Sequence, residues 1–106
     1  MRKLRVKIHN VDAGVLIEDD NKHFIFIYDN KYNGPPVSLT MPLREQPYNF
    51  ETFPAFFDGL LPEGVMLEGL LRTHKIDRTD YMQQLTVTGQ DLVGAVTVEE
   101  FPETHE

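Results

Sequence analysis

The chain contains no cysteine and no tryptophan, and Ser38 is its only serine. Without cysteine there are no disulfides, no thiolate nucleophile and no cysteine-ligated zinc. A lone serine outside a nucleophile-elbow context gives little support to a Ser-His-Asp reading, even with His74, Asp77 and Asp80 close together in sequence. Long apolar runs are missing as well. The longest, Phe24 to Tyr28, is five residues, against the ~20 that a membrane-spanning helix needs. The N-terminus alternates charged and aliphatic residues and offers no apolar core of a signal peptide. A cytoplasmic protein with no membrane association is therefore expected. Positive charge is also scarce: ten Lys and Arg face seventeen Asp and Glu, a formal net charge of -7. Nucleic-acid binders displace counterions with Lys and Arg, so this balance argues against direct contact with DNA or RNA.

What is present fits a globular domain. Of 106 residues, 41% are hydrophobic and 25% charged, with seven Phe and four Tyr to build a core. One domain over residues 1–106 is expected, ending in an acidic stretch at 101–106 that should fray. Leu4, Val6 and Ile8 alternate with Arg5, Lys7 and His9, the period of a half-buried strand whose other face is solvated. Asn10 to Gly14 supply turn residues, 15–18 a second strand and 24–28 a third. The third is apolar on both faces, which predicts cover on both. Residues 29–36 form a Pro- and Gly-rich loop, 37–40 a short extended segment and 48–50 another short strand.

The period then changes. Phe53, Phe56, Phe57, Leu60 and Leu61 recur at helical spacing, with Thr52 as N-cap and Pro54 in the first turn. On this reading Phe56 and Phe57 both face the core, and Pro62 ends the helix. A second helix from Glu63 to Arg72 should bury Leu67, Leu70 and Leu71, and a third runs from an N-cap within 77–80 to Leu85. A final strand covers 95–99. The fold class is α+β: a small antiparallel sheet, with a three-strand meander and short later strands, packed with about three helices.

Candidate chemistry is thin. Gly89 and Gly94 have the separation of a phosphate-binding loop, but Ala95 and Val96 stand where Lys and Ser or Thr are required. The segment reads instead as a turn in which glycine takes positive φ and Asp91 bonds nearby backbone N–H groups. His9, His23, His74 and His105 share no metal-ligand spacing. The pairs Asp19-Asp20 and Glu99-Glu100 lie at element ends in polar surroundings, where nothing would separate their pKa values for acid–base work. No catalytic, metal or cofactor-binding residue is assigned.

Three blocks carry a resemblance. Ser38-Leu39-Thr40-Met41-Pro42-Leu43-Arg44 is followed by Phe53-Pro54-Ala55-Phe56-Phe57-Asp58-Gly59-Leu60-Leu61-Pro62-Glu63-Gly64, and then by Gly89-Gln90-Asp91-Leu92-Val93-Gly94-Ala95-Val96. In this order and spacing they resemble the N-terminal subdomain of HipA-type serine/threonine kinases. The resemblance spans residues 4–98. A free-standing copy is similar to the HipS proteins of three-gene HipBST toxin–antitoxin systems, whose kinase HipT lacks the segment. That resemblance implies an antitoxin or regulatory subunit that binds and inhibits a HipT-like kinase, within a complex that can include a DNA-binding HipB-like repressor. It implies no catalysis, because the parts needed for phosphoryl transfer belong to a kinase body. Two other readings stand beside it: an N-terminal subdomain cut from a full HipA kinase, and a small enzyme of unknown reaction. The start at Met1 and the polar end Glu103-Thr104-His105-Glu106 favour a free-standing protein over a fragment. Val65 and Met66, off the Leu67–Leu70–Leu71 stripe, with the adjoining Glu63, are the candidate partner-facing residues.

Overall fold

The alternation at the N-terminus produces strand β1 (Arg2–Ile8), which pairs antiparallel with β2 (Val11–Glu18). In the computed structural model, which describes residues 1–92 and 94–101, strands β3 (Phe24–Tyr28), β4 (Tyr48–Phe50) and β5 (Val96–Glu100) complete an all-antiparallel sheet ordered β4-β3-β2-β1-β5. Three helices follow β4: α1 (Ala55–Asp58), α2 (Gly64–His74) and α3 (Tyr81–Thr88). The expected α+β architecture is thus observed, with the three-strand meander at its centre.

One hairpin departs from the sequence reading. The β1–β2 turn is His9–Asn10, both at positive φ (51° and 66°), and the strand resumes at Val11 rather than Val15. Asp12, Ala13 and Gly14 resemble a turn by composition, yet they are strand residues. Val6 pairs with Gly14 and Lys7 with Asp12, so Ala13 is the extra residue of a β-bulge. Both Ala13 and Gly14 are buried. A side chain at Gly14 would lie 2.4 Å from the Ile27 carbonyl oxygen, so the close strand approach requires glycine here.

The core lies on one face of the sheet. Leu4, Val6, Ile8, Leu16, Phe24, Phe26, Tyr28 and Val98 meet Phe57 and Leu61 from the α1 region and Met82 and Leu85 from α3. Phe26 packs edge-on to Tyr28 and tilted against Phe57, at centroid distances of 4.8 and 5.7 Å. On the opposite face Val15, Ile17, Ile25 and Ile27 are only half-buried. The full cover expected on both sides of β3 is therefore found on the core side alone.

The helix anticipated over residues 53–61 contracts to the single turn of α1, with Pro54 rather than Thr52 at its N-cap. Leu60 and Leu61 continue through i→i+3 bonds to Phe57 and Asp58, so the apolar stripe survives without α-helical geometry. Phe57 is fully buried, whereas Phe56 is half-buried, which corrects the expectation that both face inward. Helix α2 has its N-cap at Glu63 and ends in a left-handed Lys75, after which the Ile76 amide bonds the Leu71 carbonyl. Of its leucines only Leu71 is buried; Leu67 and Leu70 are half-buried. Leu71 and Ile76 are buried apart from the main cluster, so α2 is lightly anchored.

Helix α3 starts where the sequence placed its cap. The Asp80 carboxylate accepts from the Gln83 amide at 3.2 Å, and the helix runs three residues beyond Leu85. Buried Gln84 is satisfied by the carbonyls of Asp77 and Arg78. Gly89 does not adopt the positive φ expected of it (φ -58°); it is needed because a Cβ there would lie 1.9 Å from the Val98 carbonyl oxygen. Gly94 does take positive φ, at 107°. Phe101, assigned to the fraying tail, is tied to β1 just past the end of β5: its amide donates to the Lys3 carbonyl, and the Arg5 guanidinium lies 4.8 Å from its ring centre. Val93 and residues 102–106, hence most of the anticipated tail, lie outside the described residues.

Candidate partner-binding surface

The link between α1 and α2 forms an apex. Leu61 is buried and anchors it from below, and Pro62 cannot continue the preceding turn. Gly64 then takes φ 60°, a left-handed conformation that glycine adopts at no steric cost, and this sets the first turn of α2 pointing outward. As a result Val65 is 89% exposed and Met66 74% exposed. Glu63 is exposed beside them, and its side chain makes no cap bond to α2. The three residues singled out in the sequence therefore stand together on one projecting corner. Two neighbouring large apolar side chains at such exposure have lost most of what burial would contribute, on the order of 1.5–3 kcal/mol each.

A groove adjoins the apex. It has a volume of about 630 Å³ and is lined by Leu60, Pro62, Met66, Gly69, Leu70 and Leu92, with Asp91 and His74 among its polar residues. Sequence reasoning did not single out this groove. Its one legible signal was Gly69, a glycine in the interior of a helix. A second apolar projection is Leu39, 96% exposed, at the tip of a loop in which Val37 and Met41 are buried. Tyr28 pins that loop: its hydroxyl donates to the Met41 carbonyl and accepts from the Val37 amide. Burial raises the Tyr28 pKa above its usual value.

The other sequence candidates resolve into structural roles. Arg5 is not simply solvated: its guanidinium donates to both Asp29 oxygens at 3.1 and 3.0 Å, while Lys7 lies 3.4 Å from Glu99. Arg2 pairs with Glu18 and Asp80. Ion pairs so occupied offer little to a phosphate backbone. Asp19 accepts from the amides of Asn21 and His23 in a local turn. Asp77 accepts from the Thr79 amide and hydroxyl, and these bonds hold its carboxyl below the ordinary range. Among the described residues no group of three His, Asp or Glu is placed to hold a metal, and no helix is long and apolar enough to cross a membrane. The bond anticipated from Asp91 to nearby amides is not found among the described residues; the Asp91 amide instead donates to the Thr88 carbonyl.

A five-stranded antiparallel sheet closed on one face by short helices defines an α+β domain with an exposed apolar corner. Residues 4–99 match the family of the HipA N-terminal domain, and the chain belongs to that family. It is 32% identical over 85 residues to an uncharacterized protein of Haemophilus influenzae, which covers 80% of each chain. Among solved structures it is similar to the N-terminal domain of HipA toxin (TM-score 0.76, 26% identity, covering 98% of this chain and 96% of that one). The same fold occurs in HipA of Shewanella oneidensis, from its complex with HipB and operator DNA (TM-score 0.76, 24% identity). There the match covers 96% of this chain and 25% of the larger one. The matched family is that of the N-terminal domain and does not include a kinase catalytic domain.

Proposed function

We propose that this protein is a HipS-like, non-catalytic antitoxin or regulatory subunit that binds and inhibits a HipT-like serine/threonine kinase in the cytoplasm. The observation that carries the reading is the exposed Val65–Met66 corner, with Glu63, on a domain of the HipA N-terminal family. In Shewanella HipA the same fold is one part of a much longer chain, whereas the Haemophilus relative is itself about the size of one such domain. A domain of this kind acting as a separate chain must recover by association what a covalent link supplies as effective concentration. An interface of about 800 Å² per partner meets that need, and the apex with its adjoining groove offers apolar area for its centre. The solved Shewanella complex of HipA with HipB and DNA supports a HipB-like repressor as a further member of the assembly. This chain, at net -7, would modulate repression without touching DNA.

The test is a double readout on Val65→Asp and Met66→Asp: melting temperature of the free protein, and titration against a HipT-like kinase. Exposed positions change stability by less than ~0.5 kcal/mol, while anchors at an interface centre are worth ~2 kcal/mol, about thirtyfold in affinity. A lost complex with an intact fold is expected. Intact binding would move the interface elsewhere. The Shewanella match, where the domain is a quarter of a chain, favours the second reading, a subdomain belonging to a full HipA kinase. A neighbouring gene for a short HipA-like kinase separates the two.

A further inference from the structure

Helix α2 holds a glycine that its own domain does not require. Gly69 stands in the middle of Gly64–His74, where glycine is a poorer helix former than alanine. Gly14 and Gly89 are explained by backbone oxygens that a Cβ would strike, but among the described residues a Cβ at Gly69 meets no atom within 4 Å beyond its own stretch of helix. Nothing among the described residues therefore explains the missing side chain. Met66, Gly69, Leu70 and Thr73 follow one another at i, i+3, i+4 and i+7, a second stripe on α2 beside the one carrying Leu67 and Leu71. All four residues of that second stripe line the 630 Å³ groove, together with Leu60 and Leu92.

The groove is not uniformly apolar. Asp91 lies on its lining, is exposed, and among the described residues enters no ion pair. The chain as a whole carries a net charge of -7. An apolar trough with an exposed carboxylate on its lining, in a chain of net negative charge, selects an apolar segment that bears a cation. A second copy of this chain fits poorly, because it brings the same negative charge.

We propose that this groove receives an apolar segment of the partner protein, its main chain packed against Gly69 and a Lys or Arg side chain reaching Asp91. The inference rests on the docking reading above and adds to it where the partner inserts, what chemistry it presents, and why residue 69 lacks a side chain. Met66 belongs to both the apex and the groove, so the two form one continuous surface.

The experiment compares wild type, Gly69→Ala, Gly69→Leu and Asp91→Asn, each measured for melting temperature alone and for affinity toward a HipT-like kinase lacking its own N-terminal domain. In the free chain, Gly69→Ala should raise the melting temperature by about 4 °C, since alanine improves the helix and meets no neighbour. The same change should weaken the complex, and Gly69→Leu, which fills the trough, should weaken it by about thirtyfold or more. Asp91→Asn should lower affinity and flatten its dependence on salt. Greater stability with weaker binding is an outcome that a purely structural role for residue 69 does not give. A fall in melting temperature for Gly69→Ala overturns the claim that the fold leaves this position open. Wild-type binding that Gly69→Leu leaves intact overturns the groove assignment alone, whereas no binding by wild type overturns the docking reading itself. Self-association of wild type that Gly69→Leu abolishes, with kinase binding unaffected, assigns the groove to a second copy and contradicts the proposal.

Discussion

Replacing Phe57 with alanine tests the packing of the core at its most enclosed aromatic position. The side chain is fully buried, 5.7 Å from Phe26 and 5.1 Å from Phe56 between ring centres. Deleting a buried phenylalanine ring removes its transfer free energy and leaves a cavity, at a cost of ~3–5 kcal/mol. With an unfolding entropy of about 2.1 cal/mol/K per residue, a chain of 106 residues loses roughly 14–22 °C in melting temperature for that change. Phe56, adjacent in sequence but half-buried, has less to lose, on the order of 1.5–2.5 kcal/mol or roughly 7–11 °C. Thermal melts followed by far-UV circular dichroism on both variants measure the two shifts. The ordering Phe57→Ala well below Phe56→Ala is expected. Equal shifts, or a larger one at Phe56, would refute the assignment of the inward face of α1.

Tyr28, Gly89 and the Gly89–Gly94 segment each give a further expected outcome. Tyr28→Phe leaves the Val37 amide and the Met41 carbonyl without their buried partner and should cost ~1–3 kcal/mol by chemical denaturation, with faster hydrogen exchange at Val37. Burial raises the Tyr28 pKa, so the folded state holds that proton more tightly than the unfolded chain. Its contribution is complete below the unfolded value of about 10 and is lost as pH rises through the elevated folded value, which an alkaline titration of stability will show in wild type and more weakly in Tyr28→Phe, where Tyr32, also raised by burial, remains. Gly89→Ala forces a Cβ onto the Val98 backbone and should destabilise by ~1–3 kcal/mol, with exchange rates rising most along β5. Isothermal calorimetry with Mg-ATP should give no stoichiometric binding, because Ala95 and Val96 replace the residues a phosphate loop needs; micromolar binding would contradict this.

Much of the fold was legible because period and caps agreed. The alternation through Leu4, Val6 and Ile8, the short strand 48–50 and the Asp80 cap all appear where the residues place them. The misreadings have physical causes. Asp12 and Gly14 carry turn chemistry, yet a bulge and a tight strand approach need small residues there, and the true turn uses His9 and Asn10 at positive φ. The stripe from Phe53 to Leu61 has helical spacing, but Pro54 and Gly59 leave only one α-turn between them. Ile25 and Ile27 look buried by composition although only the core face of β3 is fully covered. At the candidate site, Val65 and Met66 are exposed as expected, although Met66 stands one turn before half-buried Leu70, and it is its place in the first turn of α2 that leaves it uncovered. The groove was not legible, because it is made by residues as far apart as Leu60 and Leu92, and no local pattern links them.

The role proposed for this chain is inhibition of a HipT-like kinase by binding alone. Its most direct test is phosphoryl transfer by a purified HipT-like kinase, titrated with this protein at concentrations above the dissociation constant. Activity should fall to background near a 1:1 ratio and return when Met66→Asp replaces wild type. Full kinase activity in the presence of a large molar excess of wild-type protein would contradict that role.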